Sequence, residues 1–80
     1  MAVLIYDNRK DWNTCKLMRN SDVVEQICIN TNNISTVDIQ QFVLTIICKN
    51  STSVTIRFTN RESAEKEFDK LCSILATEKD

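Results

Sequence analysis

From residue 42 onward the apolar positions fall into two periods, and the switch between them marks the clearest elements of the chain. Val54, Ile56 and Phe58 alternate with Thr55, Arg57 and Thr59, the period of two expected of a strand with one buried face. Before it, Phe42–Lys49 is a β-branched and aromatic run of strand length. Asn50-Ser51-Thr52-Ser53 between them has the size of a four-residue hairpin loop, with Asn50 as the residue best suited to left-handed backbone. Over 61–76 the period changes: Ala64, Phe68, Leu71, Cys72 and Leu75 line up as one stripe of an amphipathic helix. Thr59-x-x-Glu62 reads as a capping box, with Asn60 as a rival N-cap. Arg61–Glu65 and Glu62–Lys66 stand as i,i+4 pairs on the wet side. Ile74 lies off the stripe, placed to reach a neighbouring element.

Upstream, residues 34–39 read as another strand with Val37 and Ile39 on one face. Their parity conflicts with the Phe42, Leu44, Ile46, Cys48 face, so a register change is needed near Gln40-Gln41. Either the chain turns there or a β-bulge rotates it, and because two glutamines are poor tight-turn residues a bulge or a slightly wider loop is favoured. Residues 2–6 read as a strand and Asp7–Lys10 as a turn. The segment from Trp12 to Met18 fits a returning strand or a short helix. Asp22–Ile29 fits either period, and its β-branched content tips it to strand. Thr31-Asn32-Asn33 then turns the chain. The pattern predicts a single α+β domain over 1–80. Four to six antiparallel strands, strong curvature allowed, carry one C-terminal helix at 61–76, and the tail at 77–80 frays.

Composition adds an oddity. There is no Gly and no Pro among 80 residues, where average usage gives on the order of ten. Backbone positions needing φ > 0 should then fall on the eight Asn or on Asp. Scarce Ala with abundant Ile, Asn, Thr and Lys is an AT-biased usage, as in a low-GC bacterium, its phages or an AT-rich eukaryote. Cys15, Cys28, Cys48 and Cys72 form no C-x-x-C pair, and no His is present to complete a metal site. Cys28, Cys48 and Cys72 sit among apolar neighbours and are expected as small buried hydrophobes. No basic n-region precedes the short N-terminal apolar stretch, and no run is long enough to span a membrane. A reduced, cytoplasmic protein is the expectation.

The candidate chemistry is thin. Without His, acid–base work would fall on carboxylates, and these cluster on the wet side of the helix. A chain without Gly has no phosphate-cradling loop. No cofactor and no enzymatic activity are expected. Two surfaces remain. Arg9, Lys10, Lys16 and Arg19 surround Trp12, the only Trp, a combination suited to single-stranded nucleic acid. Interleaved Asp7, Asp11 and Asp22 and a net charge of −1 oppose it. If the helix covers the Phe42/Leu44/Ile46 face, then Val43, Thr45, Ile47, Thr55 and Arg57 form an open, sparsely charged face. Residues 31–60 hold only three charges, Asp38, Lys49 and Arg57. Such a face suits a second layer, whether the chain's own N-terminal strands, a second copy or a protein partner, and strands without Pro leave their edges weakly protected. The leading expectation is therefore a self-associating protein–protein interaction module, in the manner of a phage or mobile-element accessory or inhibitor protein. Single-stranded nucleic-acid binding is the alternative.

From Cys28 to Leu75 the order of elements also resembles the C-terminal half of pleckstrin-homology-like domains. The stretch that carries it runs through Ile29-Asn30, Ile34, Val37, Phe42–Ile46, Val54–Phe58 and the closing helix. The helix lacks the Trp common in that family. The resemblance implies a non-enzymatic binding module and no particular ligand.

Overall fold

A computed structural model of the protein describes residues 3–10 and 13–77. Seven strands and one long helix follow the order β1 (Val3–Asp7), β2 (Thr14–Arg19), β3 (Asp22–Val23), β4 (Gln26–Asn30), β5 (Ile34–Gln40), β6 (Val43–Cys48), β7 (Ser53–Phe58) and α1 (Arg61–Thr77). A single 3₁₀ turn at Thr31–Asn33 joins β4 to β5. Five strands form one antiparallel sheet in the order β3-β2-β7-β6-β5, and β1 pairs with β4 as a separate two-stranded ribbon. This is the expected α+β class with a C-terminal helix on the sheet. What periodicity does not reveal is the division into sheet and ribbon.

One face of the five-stranded sheet is covered. Leu17, Leu44, Ile46 and Ile56 on that face are 0% exposed, and each such side chain contributes about 1.5–3 kcal/mol by leaving water. Two layers do the covering. Helix α1 lies over β5, β6 and β7, pressing Ala64 and Leu71 inward with Phe68, Ile74 and Leu75 at the margin. The ribbon, packed beside β2, contributes Leu4, Tyr6, Ile27 and Ile29 to the same core. The two layers meet where the Tyr6 hydroxyl donates a 2.6 Å hydrogen bond to Glu67 Oε2.

The turns show how a chain without Gly solves its backbone problem. Four residues adopt positive φ: Asn20 at 49°, Ser21 at 74°, Gln41 at 57° and Ser51 at 73°. Only one is Asn, so the expectation that Asn or Asp would fill these places is corrected. The Asn side chains serve instead as local acceptors. Asn50 Oδ1 accepts from the Thr52 N–H at 3.2 Å and Asn30 Oδ1 from the Asn32 N–H at 3.0 Å, the Asx turn. The β6–β7 loop is Lys49-Asn50-Ser51, closed by Cys48 N–H to the Thr52 carbonyl at 2.8 Å. It is a three-residue loop whose last residue takes the left-handed place, where four residues led by Asn50 were expected. Asn20-Ser21 is the two-residue turn between β2 and β3, with φ > 0 at both places, as a type I′ turn requires.

Gln40-Gln41 resolves the parity conflict differently from expectation. The chain neither bulges there nor loops widely. It makes a two-residue turn of Gln41-Phe42, closed by the Gln40–Val43 pair. Because the chain reverses, Val37 and Ile39 face the same side as Ile46 and Leu44 across the ladder. A bulge does occur in β5, between Ile34 and Thr36.

Helix α1 starts where Asn60 caps it: Asn60 Oδ1 accepts from the Ser63 N–H at 2.8 Å. The rival N-cap thus takes the place read first for Thr59. Arg61 pairs with Glu65 at 2.8 Å as expected. Thr77 is the last helical residue, and the rest of the tail lies outside the described residues. All four cysteines are free, but only Cys48 is buried. Cys28 and Cys72 are exposed, correcting the expectation for both. Cys28 alternates with the inward Ile27 and Ile29, and Cys72 follows the inward Leu71 on the side of α1 that faces water.

Candidate functional site: the open face of the sheet

Strand alternation sends every second side chain of the five-stranded sheet away from the helix and ribbon. Cross-strand partners fall on the same side, so the register fixes the composition of this face. One row runs Lys16, Arg57, Val43, Gln40, and the next runs Val23, Met18, Thr55, Thr45, Asp38. A third runs Ser53, Ile47, Thr36. All five residues expected on an open face, Val43, Thr45, Ile47, Thr55 and Arg57, are brought together here. Val43, Thr45, Ile47 and Thr55 are half-buried by their neighbours, and Arg57 is exposed. Among the described residues no further layer lies over them. Lys16, Met18 and Val23 belong to the same surface and were not found from sequence, since only the pairing of β2 with β7 and β3 puts them there. Val23 is 64% exposed, high for an aliphatic strand residue.

Apolar residues flank the central strand, Met18 and Val23 on β2 and β3 and Val43 and Ile47 on β6, while β7 between them contributes Ser53, Thr55 and Arg57. Lys16 on β2 and Arg57 on β7 are neighbours, while Asp38 stands on the outer strand β5. The Arg57 guanidinium lies 5.2 Å from the ring centroid of Phe42, a cation–π contact that holds the side chain over the end of the sheet. Phe42 was expected beside Leu44 on the covered face. As a turn residue it instead lies at the sheet end, touching both the core and Arg57.

The basic cluster of residues 9–19 does not assemble in the same way. Arg9 turns back on Asp7, with Nε and Nη2 each 3.0 Å from a carboxylate oxygen, and also reaches Glu25 at 3.6 Å. The Asp7 carboxylate accepts the Arg9 backbone N–H at 2.9 Å as well. The Arg9 hydrogen bonds hold the Asp7 carboxyl down at about 2 and push the Arg9 guanidinium up. Lys10 is exposed, beyond the Asp7 turn. Lys16 is on the open face, and Arg19 points to the opposite side, across from Val54. Trp12 lies outside the described residues. Of the described cations in this cluster, only Lys16 has another cation, Arg57, as its cross-strand neighbour.

The covered side carries the most strongly shifted group. Burial, then the Glu67 hydrogen bond, then the Glu67 charge push the Tyr6 hydroxyl far above its ordinary value, which favours its role as a donor. Lys70 stands 3.7 Å from the same Glu67 oxygen. This arrangement joins ribbon to helix. Among the described residues no group of three or more metal-ligating side chains gathers, and no helix is long and apolar enough to cross a membrane.

No protein-family model, no curated protein and no solved structure matches the chain.

Proposed function

We propose that the protein is a non-catalytic protein–protein interaction module that self-associates through the open face of its five-stranded sheet. The observation that carries this reading is a face bearing Met18, Val23, Val43 and Ile47 on either side of its central strand, left without a second layer among the described residues. Sheets bury such faces against another layer. A second copy fits the charge layout, because the cations Lys16 and Arg57 lie on β2 and the central β7 and the carboxylate Asp38 on the outer strand β5. A two-fold-related copy laid face to face sets the cations of each over the carboxylate of the other, the self-complementarity that an isologous interface needs. We extend the reading to a cytoplasmic setting in a low-GC bacterium, as a phage or mobile-element accessory protein, on composition and cysteine spacing alone.

Sedimentation velocity on the wild type and on Ile47→Asp tests it. The wild type should sediment as a dimer or larger species. Ile47→Asp should sediment as a monomer with an unchanged far-ultraviolet circular dichroism spectrum. A wild type that stays monomeric at every accessible concentration removes the reading. Titrating Trp12 fluorescence with a single-stranded oligonucleotide at low salt separates it from nucleic-acid binding. An unchanged signal supports the protein interface, and a saturating, salt-sensitive one replaces it.

A further inference from the structure

On the other side of the sheet from the open face, a cleft of about 390 Å³ opens where β4, the 3₁₀ turn and the β6–β7 loop converge. Its size lies within the range of small-ligand pockets, about 300–1,000 Å³. The floor is aliphatic: Ile27, Ile29 and Val54 line it and are buried. Cys48 beside them is also buried, and burial pushes its thiol up, so the floor carries no charge.

The rim is polar and of one sign. Arg19 is the only charged residue in the lining, which contains no carboxylate. Its side chain is engaged by no hydrogen bond or ion pair among the described residues, and Asp22, its register partner, forms no ion pair with it. Asn30 and Asn50 flank the opening. Each uses its Oδ1 to accept a backbone N–H, from Asn32 and from Thr52. That fixes which end of each amide is oxygen and leaves the NH₂ group, a donor, as the end available to a ligand. One guanidinium and two amide donors above an aliphatic floor favour a compact anion with an apolar body.

We propose that this cleft binds a small monocarboxylate with an apolar tail, the carboxylate held by Arg19 with Asn30 and Asn50 and the tail laid on Ile27, Ile29 and Val54. The site is separate from the proposed self-association face, because Arg19 and Val54 stand on the covered side of the strands whose other side carries Met18 and Thr55.

Octanoate, octan-1-ol and octylamine, titrated separately into ¹⁵N-labelled protein, test the assignment by amide chemical shifts. Octanoate should shift the amides of Ile27, Ile29 and Val54 in a saturating manner. Octan-1-ol should bind the same amides about tenfold or more weakly, and octylamine should leave them in place. Arg19→Gln should weaken octanoate about tenfold or more. Ile47→Asp should leave octanoate binding unchanged whether or not it alters the oligomeric state, so failure of one proposal is distinguishable from failure of the other. The proposal is overturned if octanoate shifts none of these amides, if octylamine matches it, or if Arg19→Gln binds octanoate as the wild type does.

Discussion

The two faces of the five-stranded sheet are built from the same strands one residue out of step, and they end in different states. Leu44 and Ile46 are 0% exposed, while Val43, Thr45 and Ile47, interleaved with them, are half-buried by lateral neighbours alone. Backbone, ladder and β-propensity are shared, so none of these separates the faces. The layer above does. On the covered side that layer is assembled from two parts far apart in the chain, the ribbon and α1, and it carries the Tyr6–Glu67 link between them. Burial in this protein is decided by what arrives to cover a face, not by how apolar the face is to begin with.

The comparison is sharpest at Leu44 and Val43. Leu44→Ala should cost about 2–5 kcal/mol, through lost transfer energy and the cavity left behind. Val43→Ala should cost under about 1 kcal/mol in the monomer, since little of its surroundings is packed. Urea unfolding of each variant, performed where the wild type is monomeric, reads both. Similar losses at the two positions would break the distinction between the faces.

A smaller effect is expected from Tyr6→Phe, which removes the link between the covering layers and should cost about 1 kcal/mol at neutral pH. The alkaline limb gives the sign. Below the ordinary phenol value of 10.0 the hydroxyl is protonated folded and unfolded, and its contribution is whole. As pH rises above 10.0, the unfolded chain releases this proton and the folded chain keeps it, so stability falls. Tyr6→Phe should lack that part of the decline when thermal melts are compared across the alkaline range.

The smallest effect concerns the end of the ribbon. Asp7 is ordinarily a group of 3.8 and is held at about 2 in the fold. Its contribution is present above 3.8 and is lost as pH falls from there toward about 2. Asp7→Asn should flatten the acid limb of stability over that interval and leave the alkaline limb as it was. An acid limb identical to the wild type's would mean that the Arg9 contact does not stabilise the ribbon.

How much of this was readable from sequence depends on the distance over which each contact is made. The period of two at 54–58, the stripe at 64–75 and the hairpin between β6 and β7 are local, and each was legible. So were the five open-face residues on β6 and β7, because alternation sorts them once the helix is placed. Lys16, Met18 and Val23 were not, since their place depends on β2 meeting β7, a pairing of segments roughly forty residues apart that no local pattern encodes. Cys28 and Cys72 show the limit of judging burial by neighbours in sequence. Adjacent residues on a strand or a helix point to different sides, so Ile27 and Leu71 go inward and the cysteines beside them do not. Ser21, Gln41 and Ser51 took positive φ through ladder geometry that outweighed their own preferences.

The pairing of β2 with β7 also orders events in time. Helix–sheet and hairpin contacts among β5, β6, β7 and α1 link segments that leave the ribosome close together. Strand β2 is made early, yet its partner emerges roughly forty residues later, and β1 must close onto β4 around it. Non-local pairings of this kind form slowly because loop entropy is lost before the contacts repay it. Pairing of β2 with β7 therefore lags the local hairpins among β5, β6 and β7. During that interval the edge of β7 that β2 will occupy stands open to any strand within reach, a second nascent copy included.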